Sequence, residues 1–470
     1  MKKIIGICLF LSFIKSYTQE EIVNREVVER PNVIFVLADD WSFPHASIYG
    51  DKVVKTPNFD RIAKNGLLFT NAYSAAPSCT PARAAILTGR YPHALNEGAN
   101  LWGTLPNSFP NYTRILESAG YIVAFQEKGW APGNYEVGGY KRNPSGTEIE
   151  NFEHFIENTP KDKPFCLWYG TRDPHRPYTQ GFGVEAGLSM DKVELPSFWP
   201  QDSVIKSDVL DYYYEVQRLD YDLGRILFRL ERNNLLDNTI IIVTSDNGMP
   251  FPRAKANCYD LGTKVPLAIS WGKHLAKGKT IDSYINLIDI APTILEAAKL
   301  EVPKEMQGHS FYGLLSNTHY EPQEKVFLER ERHAFAREEN YAYPIRAVRD
   351  NHFLFIHNLR SHRWPAGSPE WNYSDIDNGP SKSVMVSKKD ENGVYSRFYA
   401  LSTEKRPEYE LYSLKDDPDQ INNLAYDSAY KKIVRTYKEE LEKWRLKTAD
   451  TIIKSEVTKF DLYEYYGKKK

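Results

Sequence analysis

The chain carries little excess charge and has no long apolar run in its interior. Its 62 acidic and 60 basic side chains leave a formal net charge of −2 over 470 residues. This balance argues against a general nucleic-acid-binding surface, because such surfaces are strongly basic. No segment beyond the N-terminal region is apolar over the length that a bilayer requires, so we expect no membrane span. The length is ample for a large core and for more than one structural unit.

The N-terminal residues have the composition of a targeting segment. Two lysines are followed by an apolar run at residues 4–14 and then by polar residues, which is typical of a secretory signal peptide. The run is too short to span a membrane, and the alternative interpretation is a buried N-terminal strand. We therefore expect residues 1–18 to be a signal peptide and the protein to be exported, either to the periplasm or out of the cell.

Cysteine is scarce, with four copies in the whole chain. Cys8 falls within the expected signal peptide. Export would permit a disulfide between Cys166 and Cys258, but their positions do not show whether they pair. Cys166 lies in an apolar run and is expected to be an inert core thiol. The remaining one, Cys79, lies in a polar segment of unusual sequence.

Apolar runs typical of strands buried on both faces alternate with helical patterns. The runs are at residues 32–38, 121–125, 165–169 and 239–244, and the helical patterns are at residues 58–66 and 207–232. Such alternation predicts an α/β fold, a parallel sheet with helices on both sides. After about residue 340, shorter β-like pieces, a polar stretch at residues 361–393 and a charged helix predict a smaller α+β unit.

Acidic pairs follow two of the predicted strands. Asp39 and Asp40 come after the first, and Asp246 and Asn247 come after the run at residues 239–244. If these strands are parallel neighbours, both pairs lie at the carboxyl ends of the strands, where open α/β sheets bind ligands. Oxygen donors in this number favour Ca²⁺ or Mg²⁺ over zinc. Taken alone, the string Asp-Asn-Gly is also typical of a turn.

The segment around Cys79 is the most distinctive in the chain. It reads SCTPAR at residues 78–83 and continues to LTGR at residues 87–90. If only the cysteine and the arginine were present, the segment would be compatible with an ordinary loop that leads into a helix. The whole string resembles the C-x-P-x-R segment of type I sulfatases, in which a modifying enzyme oxidises the cysteine to Cα-formylglycine. The resemblance implies that Cys79 is this residue and that Arg83 orients it.

The resemblance also implies a mechanism and a metal. In that family one hydroxyl of the hydrated aldehyde attacks sulfur and the second allows sulfate to be expelled, which divides one hard step into two easier ones. The implied metal ligands are Asp39, Asp40, Asp246 and Asn247, with the formylglycine oxygen of residue 79 completing the shell. The ion is usually calcium, with magnesium as the second choice, and it acts as a Lewis acid on a sulfate oxygen.

Negative charge on the sulfuryl oxygens and a leaving group that needs a proton call for fixed cations and a general acid. His175, in the string RDPHRP, matches the strand-end histidine of the family and is the predicted acid; the alternative is a structural surface histidine. Lys255 matches the sulfate-binding lysine after D-N-G, and Lys128 matches the lysine of the G-K-x-H segment. In this chain Glu127 replaces the glycine of that segment and Trp130 replaces its histidine. One general acid or one contact to sulfate is therefore missing or supplied from elsewhere. Trp130 is a candidate stacking face for a sugar.

Further patches resemble the heparan N-sulfatase (sulfamidase) branch. They read SDNGMPFP at residues 245–252, NCYDLGT at 257–263, YPIRAVR at 343–349 and IHNL at 356–359. The resemblance implies an alkaline-phosphatase-like, mixed and mostly parallel sheet. Its catalytic domain would occupy residues 19–340 and a C-terminal subdomain residues 341–470. His333 and Arg346 are candidates for reading substrate, with a structural role as the equal alternative.

The sequence therefore predicts an exported, metal-dependent sulfatase that acts on a sulfated saccharide, either an algal polysaccharide or a glycosaminoglycan. The implied partner is a formylglycine-generating or sulfatase-maturing enzyme. One alternative is a phosphonate or phosphodiester hydrolase, since relatives with formylglycine perform that chemistry on this fold. Another is a catalytically silent glycan-binding protein, which the altered Lys128 segment motivates.

Overall fold

The computed structural model describes residues 30–275, 277–451 and 456–468. The predicted signal peptide at residues 1–18 and Cys8 therefore lie outside the described residues. Within these ranges the strands form a large sheet of nine strands and a small sheet of four. No helix in the same ranges combines the length and the apolar character that crossing a membrane requires.

The large sheet is mixed but mostly parallel. Its strands are β1 (Asn32–Ala38), β2 (Leu67–Tyr73), β3 (Ile122–Glu127), β4 (Thr147–Glu148), β5 (Phe165–Gly170), β6 (Thr239–Ser245), β7 (Lys264–Trp271), β8 (Lys279–Ile281) and β9 (Ile285–Asn286). Their order is β4-β3-β5-β1-β6-β7-β2-β8, with β9 paired to β2. The strands from β4 to β6 in this order are parallel, and β7 is antiparallel to both neighbours. The predicted α/β class and its four apolar strands are confirmed.

Helices cover both faces of the large sheet. Those of the described residues are α1 (Pro57–Lys64), α2 (Cys79–Thr88), α3 (Tyr112–Ser118), α4 (Phe152–Asn158), α5 (Phe182–Glu185), α6 (Ser203–Arg232), α7 (Asp260–Thr263), α8 (Ile290–Ala297), α9 (Tyr312–Ser316), α10 (Pro380–Ser387), α11 (Gly393–Thr403), α12 (Lys431–Lys447) and α13 (Lys459–Leu462). Because successive strand residues face opposite sides, Ile34 and Val36 pack in one core with α1 and α6. Val33 and Phe35 pack in a second core with α2 and α8.

The small sheet is antiparallel, in the order β10-β11-β12-β13. Its strands are β10 (Lys325–Arg330), β11 (Ile345–Asp350), β12 (Phe353–Asn358) and β13 (Tyr409–Ser413). Helix α12 packs against it, with the Trp444 ring stacked on Phe327 at 4.9 Å between centroids. This is the predicted smaller α+β unit. Its first strand precedes residue 340, and the domain boundary predicted there stays a prediction.

The cysteines of the described residues are buried free thiols. Cys166 lies inside β5 and Cys258 lies just before α7, and burial raises the pKa of each thiol to about 12. The two form no disulfide with each other. Cys166 is therefore the inert core thiol that its apolar surroundings predicted.

Candidate active site

Adjacent parallel strands bring the predicted site residues together at their carboxyl ends. Strand β1 lies between β5 and β6, and its last residue, Ala38, pairs with Ser245 at the end of β6. Asp39 and Asp246 therefore leave the sheet side by side. The Asp39 N–H donates to the Asp173 carbonyl at 3.1 Å, and the Asp246 N–H donates to the Ala38 carbonyl at 3.1 Å. These bonds fix the carboxylates at the edge of the sheet where ligands bind.

Asp40 has a backbone conformation that side chains rarely adopt. Its φ is 77°, in the left-handed region that costs a non-glycine residue roughly 1–2 kcal/mol. The Asp246 carboxylate accepts the Asp40 N–H at 3.1 Å, and the Asn247 amide donates to Asp40 Oδ1 at 2.7 Å. These hydrogen bonds hold the strained turn, and the turn directs a fully buried carboxylate toward the end of β6.

Cys79 is the first residue of helix α2, directly after the N-cap residue Ser78. It is 2% exposed, and its Sγ lies 3.5 Å from Asp39 Oδ1 and 4.0 Å from Asp40 Oδ1. Burial raises the pKa of the Cys79 thiol well above its usual value. An unmodified Cys79 is therefore a neutral thiol, which is a weak nucleophile.

Arg83 lies one helical turn beyond Cys79 on the same face of α2 and is fully buried. Its Nε donates to Asp246 Oδ2 at 2.8 Å, and its Nη2 lies 3.4 Å from Asp39 Oδ1. Its Nη1 donates to two carbonyls of the segment after β3, at 2.7 and 3.0 Å. The guanidinium thus connects α2 to the ends of β1, β3 and β6.

Two lysine side chains pair with the aspartates of β1. The Lys128 Nζ donates to both carboxylate oxygens of Asp39, at 2.7 and 2.5 Å. The Lys255 Nζ donates to Asp40 Oδ2 at 2.7 Å. Burial lowers the pKa of each ammonium group, but the neighbouring carboxylates outweigh it and hold both pKa values above normal. Both lysines are therefore cations at neutral pH.

His175 lies at the outer side of the same group. Its Nδ1 is 2.5 Å from the Arg176 carbonyl, which only accepts hydrogen bonds, so Nδ1 carries a proton. Its Nε2 lies 3.7 Å from Asp40 Oδ2, and a third of the side chain is exposed. The ring therefore presents Nε2 to the site and also reaches solvent.

The group is close to electroneutral. It combines the carboxylates of Asp39, Asp40 and Asp246 with the cations of Arg83, Lys128 and Lys255. One ligand atom from each of the three aspartates and from Cys79 lies within 4.8 Å of the others. The Asn247 Oδ1 is buried and accepts no hydrogen bond. This donor set of oxygen atoms fits a hard divalent cation, which would make the site positive overall and receptive to an anion.

The two strand-end aspartates have pKa values shifted in opposite directions. Burial raises the pKa of Asp39, but the charges of Lys128 and His175 outweigh it and hold that pKa well below its usual value. Burial raises the pKa of Asp246 to about 6, and the attraction of Arg83 offsets this only in part. Asp246 is thus the carboxylate of the pair whose ionised form the protein itself stabilises less.

The suggestion that Trp130 offers a stacking face to sugar is wrong. Its side chain is 1% exposed and belongs to the core between the sheet and α2. The side chain of Asn143 accepts the Trp130 N–H and donates to the Trp130 carbonyl, each at 3.0 Å. Glu127, which has a φ of 62°, turns its carboxylate to the Arg172 N–H and the Tyr169 hydroxyl. Neither residue takes the place of the missing histidine.

The polar stretch at residues 361–393 supplies one site residue that the sequence did not reveal. Asp377 Oδ2 lies 3.4 Å from Lys255 Nζ. No motif marks Asp377, because an aspartate among Asn, Ser and Gly reads as ordinary loop. Its position becomes evident only when this stretch packs against the large sheet.

The structure shows the surroundings of His333 and Arg346, for which the sequence allowed either a substrate contact or a structural role. His333 Nδ1 lies 2.8 Å from Ser78 Oγ, directly beside Cys79, and burial lowers the His333 pKa to about 4. Arg346 is fully buried in an ionic cluster, bonded to Glu331 at 2.6 Å and to Asp450 at 2.7 Å. These contacts support the structural alternative for Arg346, whereas His333 lies beside the candidate site.

Comparison with known proteins identifies the family of this chain. A sequence model described as sulfatase matches residues 31–300. The chain belongs to the sulfatase family. This sulfatase is accordingly a sulfuric ester hydrolase, as predicted. A second model, of the C-terminal part of N-sulphoglucosamine sulphohydrolase, matches residues 254–393 and confirms the resemblance to the heparan N-sulfatase branch.

Two relatives of this sulfatase are named for saccharide substrates. An ulvan-active sulfatase of Formosa agariphila is 28% identical, over 90% of this chain and 76% of its own. Human N-sulphoglucosamine sulphohydrolase is also 28% identical, over 89% of this chain and 90% of its own. A solved structure in complex with its substrate, D-glucosamine-2-N,6-O-disulfate, matches with a TM-score of 0.66 at 21% identity, over 90% of this chain and 99% of its own. That last likeness confirms the predicted architecture.

Proposed function

We propose that this sulfatase removes sulfate groups from a sulfated oligosaccharide or polysaccharide, of the algal or glycosaminoglycan type, by means of a formylglycine made from Cys79. The observation that carries the proposal is the position of the Cys79 Sγ, 3.5 Å from Asp39 Oδ1 within a group of three aspartates and three cations. The ulvan-active and N-sulphoglucosamine-cleaving relatives support a saccharide substrate.

The metal of the proposal is a divalent cation, calcium ahead of magnesium. Its ligands would be Asp39, Asp40, Asp246 and Asn247, together with the oxygen of the modified residue 79. The buried Asn247 Oδ1 that lacks a hydrogen-bond partner supports this set, since such an atom is costly unless something binds it. When bound, the ion would supply Lewis-acid polarisation of a sulfate oxygen.

Conversion of Cys79 to formylglycine would replace a weak nucleophile by a stronger one. The buried thiol is held neutral, so it is a weak nucleophile as it stands. The hydrated aldehyde would supply an oxygen nucleophile and a second hydroxyl from which sulfate is expelled. Because Cys79 is 2% exposed in the folded chain, the maturing enzyme is expected to act on it before folding.

The remaining residues of the site have complementary roles in the proposal. Lys128 and Lys255 bind sulfuryl oxygens, where negative charge increases in the transition state. Arg83 holds the first turn of α2 in position through its bond to Asp246. His175 donates a proton from Nε2 to the leaving oxygen or nitrogen, and the bond from its Nδ1–H to the Arg176 carbonyl orients the ring for this transfer.

The test is sulfate release by protein produced with a sulfatase-maturing enzyme. Heparinoid and ulvan oligosaccharides serve as substrates, with product masses reporting which position is desulfated. We expect Cys79→Ala to abolish release and Cys166→Ala, a matched change at a buried thiol away from the site, to retain it. Full turnover by Cys79→Ala would refute the nucleophile assignment. Faster cleavage of a matched phosphodiester would identify a phosphodiester hydrolase, and an unconverted Cys79 thiol in the native host would favour the silent glycan-binding alternative.

We also propose export, on the strength of the pattern at residues 1–18. The mature protein isolated from its host should then begin after this segment. N-terminal sequencing checks it, and a mature chain that retains residues 1–18 would contradict the proposal.

A further inference from the structure

The charged side chains of the site become more exposed in one direction. The Asp40 side chain is fully buried, that of Lys255 is 5% exposed, and that of Asp377 is 29% exposed. The Lys255 Nζ joins the two carboxylates, at 2.7 Å from Asp40 Oδ2 and 3.4 Å from Asp377 Oδ2. Asp377 is therefore the solvent-exposed end of this row of charges, here called the mouth of the site, next to the ammonium group that is proposed to bind sulfate.

The backbone around Asp377 is anchored on both sides. On the C-terminal side, the Lys382 Nζ donates to acceptors on Tyr373, Ile376 and Asn378, at 3.1, 2.8 and 3.0 Å. On the N-terminal side, Asp375 accepts the Ala334 N–H at 2.9 Å and pairs with two buried arginines. A carboxylate held in this way is preorganised for a ligand, because little conformational freedom is lost when the ligand binds.

Asp377 has acceptor capacity that the protein does not use. Its Oδ2 is buried beside Lys255, within ion-pair distance, and accepts no hydrogen bond, whereas the 29% of the side chain that is exposed is the part that a ligand would reach. Burial raises the pKa of Asp377, but Lys255, His175 and neighbouring cations outweigh it and hold that pKa at about 2. Asp377 is thus an anion at any physiological pH, and a carboxylate can accept several hydrogen bonds at once.

We propose that Asp377 is a specificity residue that accepts a hydrogen bond from a hydroxyl or amino group of the sugar beside the scissile sulfate. The proposal rests on the proposed function. A sugar with a second sulfate at that place would bring an anion against the Asp377 carboxylate, and such a like-charge contact weakens recognition by at least about tenfold. The site would therefore select saccharides that carry a donor group next to the sulfate that is removed.

A purely structural role for Asp377 makes a different prediction. If the carboxylate only positions Lys255, its loss lowers sulfate release from every substrate by the same factor. If it reads the sugar, its loss affects substrates according to the group beside the scissile sulfate. The ratio of kcat/KM values for two matched substrates separates these roles, whereas a single rate does not.

The experiment uses the matured full-length enzyme and two probes. The first probe is whichever of the heparinoid and ulvan oligosaccharides is cleaved best. The second is the same saccharide with an additional sulfate on the carbon next to the one that carries the scissile sulfate. For wild type we expect kcat/KM to favour the first probe by at least about tenfold. In Asp377→Asn this preference should fall by at least about tenfold, mainly because the second probe is cleaved faster. Asp390→Asn, at an acid that is 88% exposed, should keep the wild-type preference.

Asp377→Ser serves as a second variant if Asp377→Asn does not fold. An unchanged preference in the folded variant, or an equal loss on both probes, would overturn the inference while leaving the proposed function intact. Absence of sulfate release from both probes by matured wild type would instead refute the proposed function, and the inference with it.

Discussion

Replacement of Arg83 by methionine tests whether the buried ionic group is the main stabilising contact between α2 and the sheet. Methionine retains an unbranched apolar stem and removes the charge. Asp246 Oδ2 then loses its 2.8 Å partner, while Asp39 keeps the two bonds from Lys128. The Lys128 carbonyl keeps a donor, the Trp168 indole at 3.2 Å. Two groups therefore lose the hydrogen bonds that Arg83 donates to them, the Asp246 Oδ2 and the Gly129 carbonyl.

The expected loss of unfolding free energy follows from these two orphaned groups. Breaking a buried ion pair by removing one partner costs about 3–5 kcal/mol. A buried carbonyl that loses its donor adds about 1–3 kcal/mol. We therefore expect Arg83→Met to lower the free energy of unfolding by about 4–8 kcal/mol near pH 8.

The loss should depend on pH with a defined sign. Burial already raises the pKa of Asp246 to about 6 with Arg83 present, and removal of the guanidinium raises it further. The native variant then binds more protons than the unfolded chain, so its stability increases as the pH falls toward the unfolded pKa of about 3.9. Between about pH 8 and pH 6 the deficit should shrink by up to about 1.4 kcal/mol per pH unit, and below that range wild type binds the same proton.

Urea unfolding of wild type and variant at the two pH values, with a metal chelator present, measures both effects. Arg229→Met on α6 is the matched control, because its ion pair with Glu157 is partly exposed to solvent and is worth less than about 1 kcal/mol. An Arg83→Met protein that unfolds within about 1 kcal/mol of wild type at both pH values would refute the reasoning.

The other predictions concern the sulfate-release activity and the protonation of a largely buried histidine. Lys255→Met should lower kcat/KM for sulfate release by about 10²–10³-fold, and a change below about threefold would contradict its sulfate-binding role. His175→Gln should lower release from a saccharide by about 10²–10⁴-fold but release from an aryl sulfate far less, since that leaving group needs no proton; equal losses would exclude the acid role. Burial lowers the pKa of His357 to about 4, so this histidine should reduce wild-type stability as the pH drops from about 6.5 to about 4. In urea unfolding, the stability of His357→Gln relative to wild type should therefore increase as the pH falls across this window, and a constant difference would contradict the assignment.

The strand ends of the site were predictable because their physical cause is local. A run such as residues 33–38, apolar at every position, is typical of a strand buried on both faces, and Asp39 marks its end. The run at residues 239–244 is of the same kind. That β1 and β6 are neighbours was an assumption, since hydrophobic pattern defines strands but not their order in a sheet.

Asp377 and Trp130 escaped prediction because their positions depend on distant contacts. The segment that carries Asp377 has no hydrophobic period, and it is anchored through Asp375 and through the bond of Ser381 to Asp208, 173 residues away. Trp130 lies two residues after Lys128, and this position in the sequence suggested that its ring stacks on a sugar. Its ring instead fills the core under α2, where burying so large an apolar surface outweighs any gain from leaving it at the pocket.

The distribution of charge explains why one anion is admitted and a second is selected against. Three aspartates and three cations nearly cancel around Cys79, so a divalent ion leaves about two positive charges, which match the charge of a released sulfate. Asp377 adds a negative charge only at the mouth, beyond Lys255. An incoming sulfate that reaches the three cations is attracted more strongly than Asp377 repels it, because the cations are nearer and less exposed to solvent. We expect a second sulfate on the same sugar to remain at the mouth, where the Asp377 carboxylate would repel it.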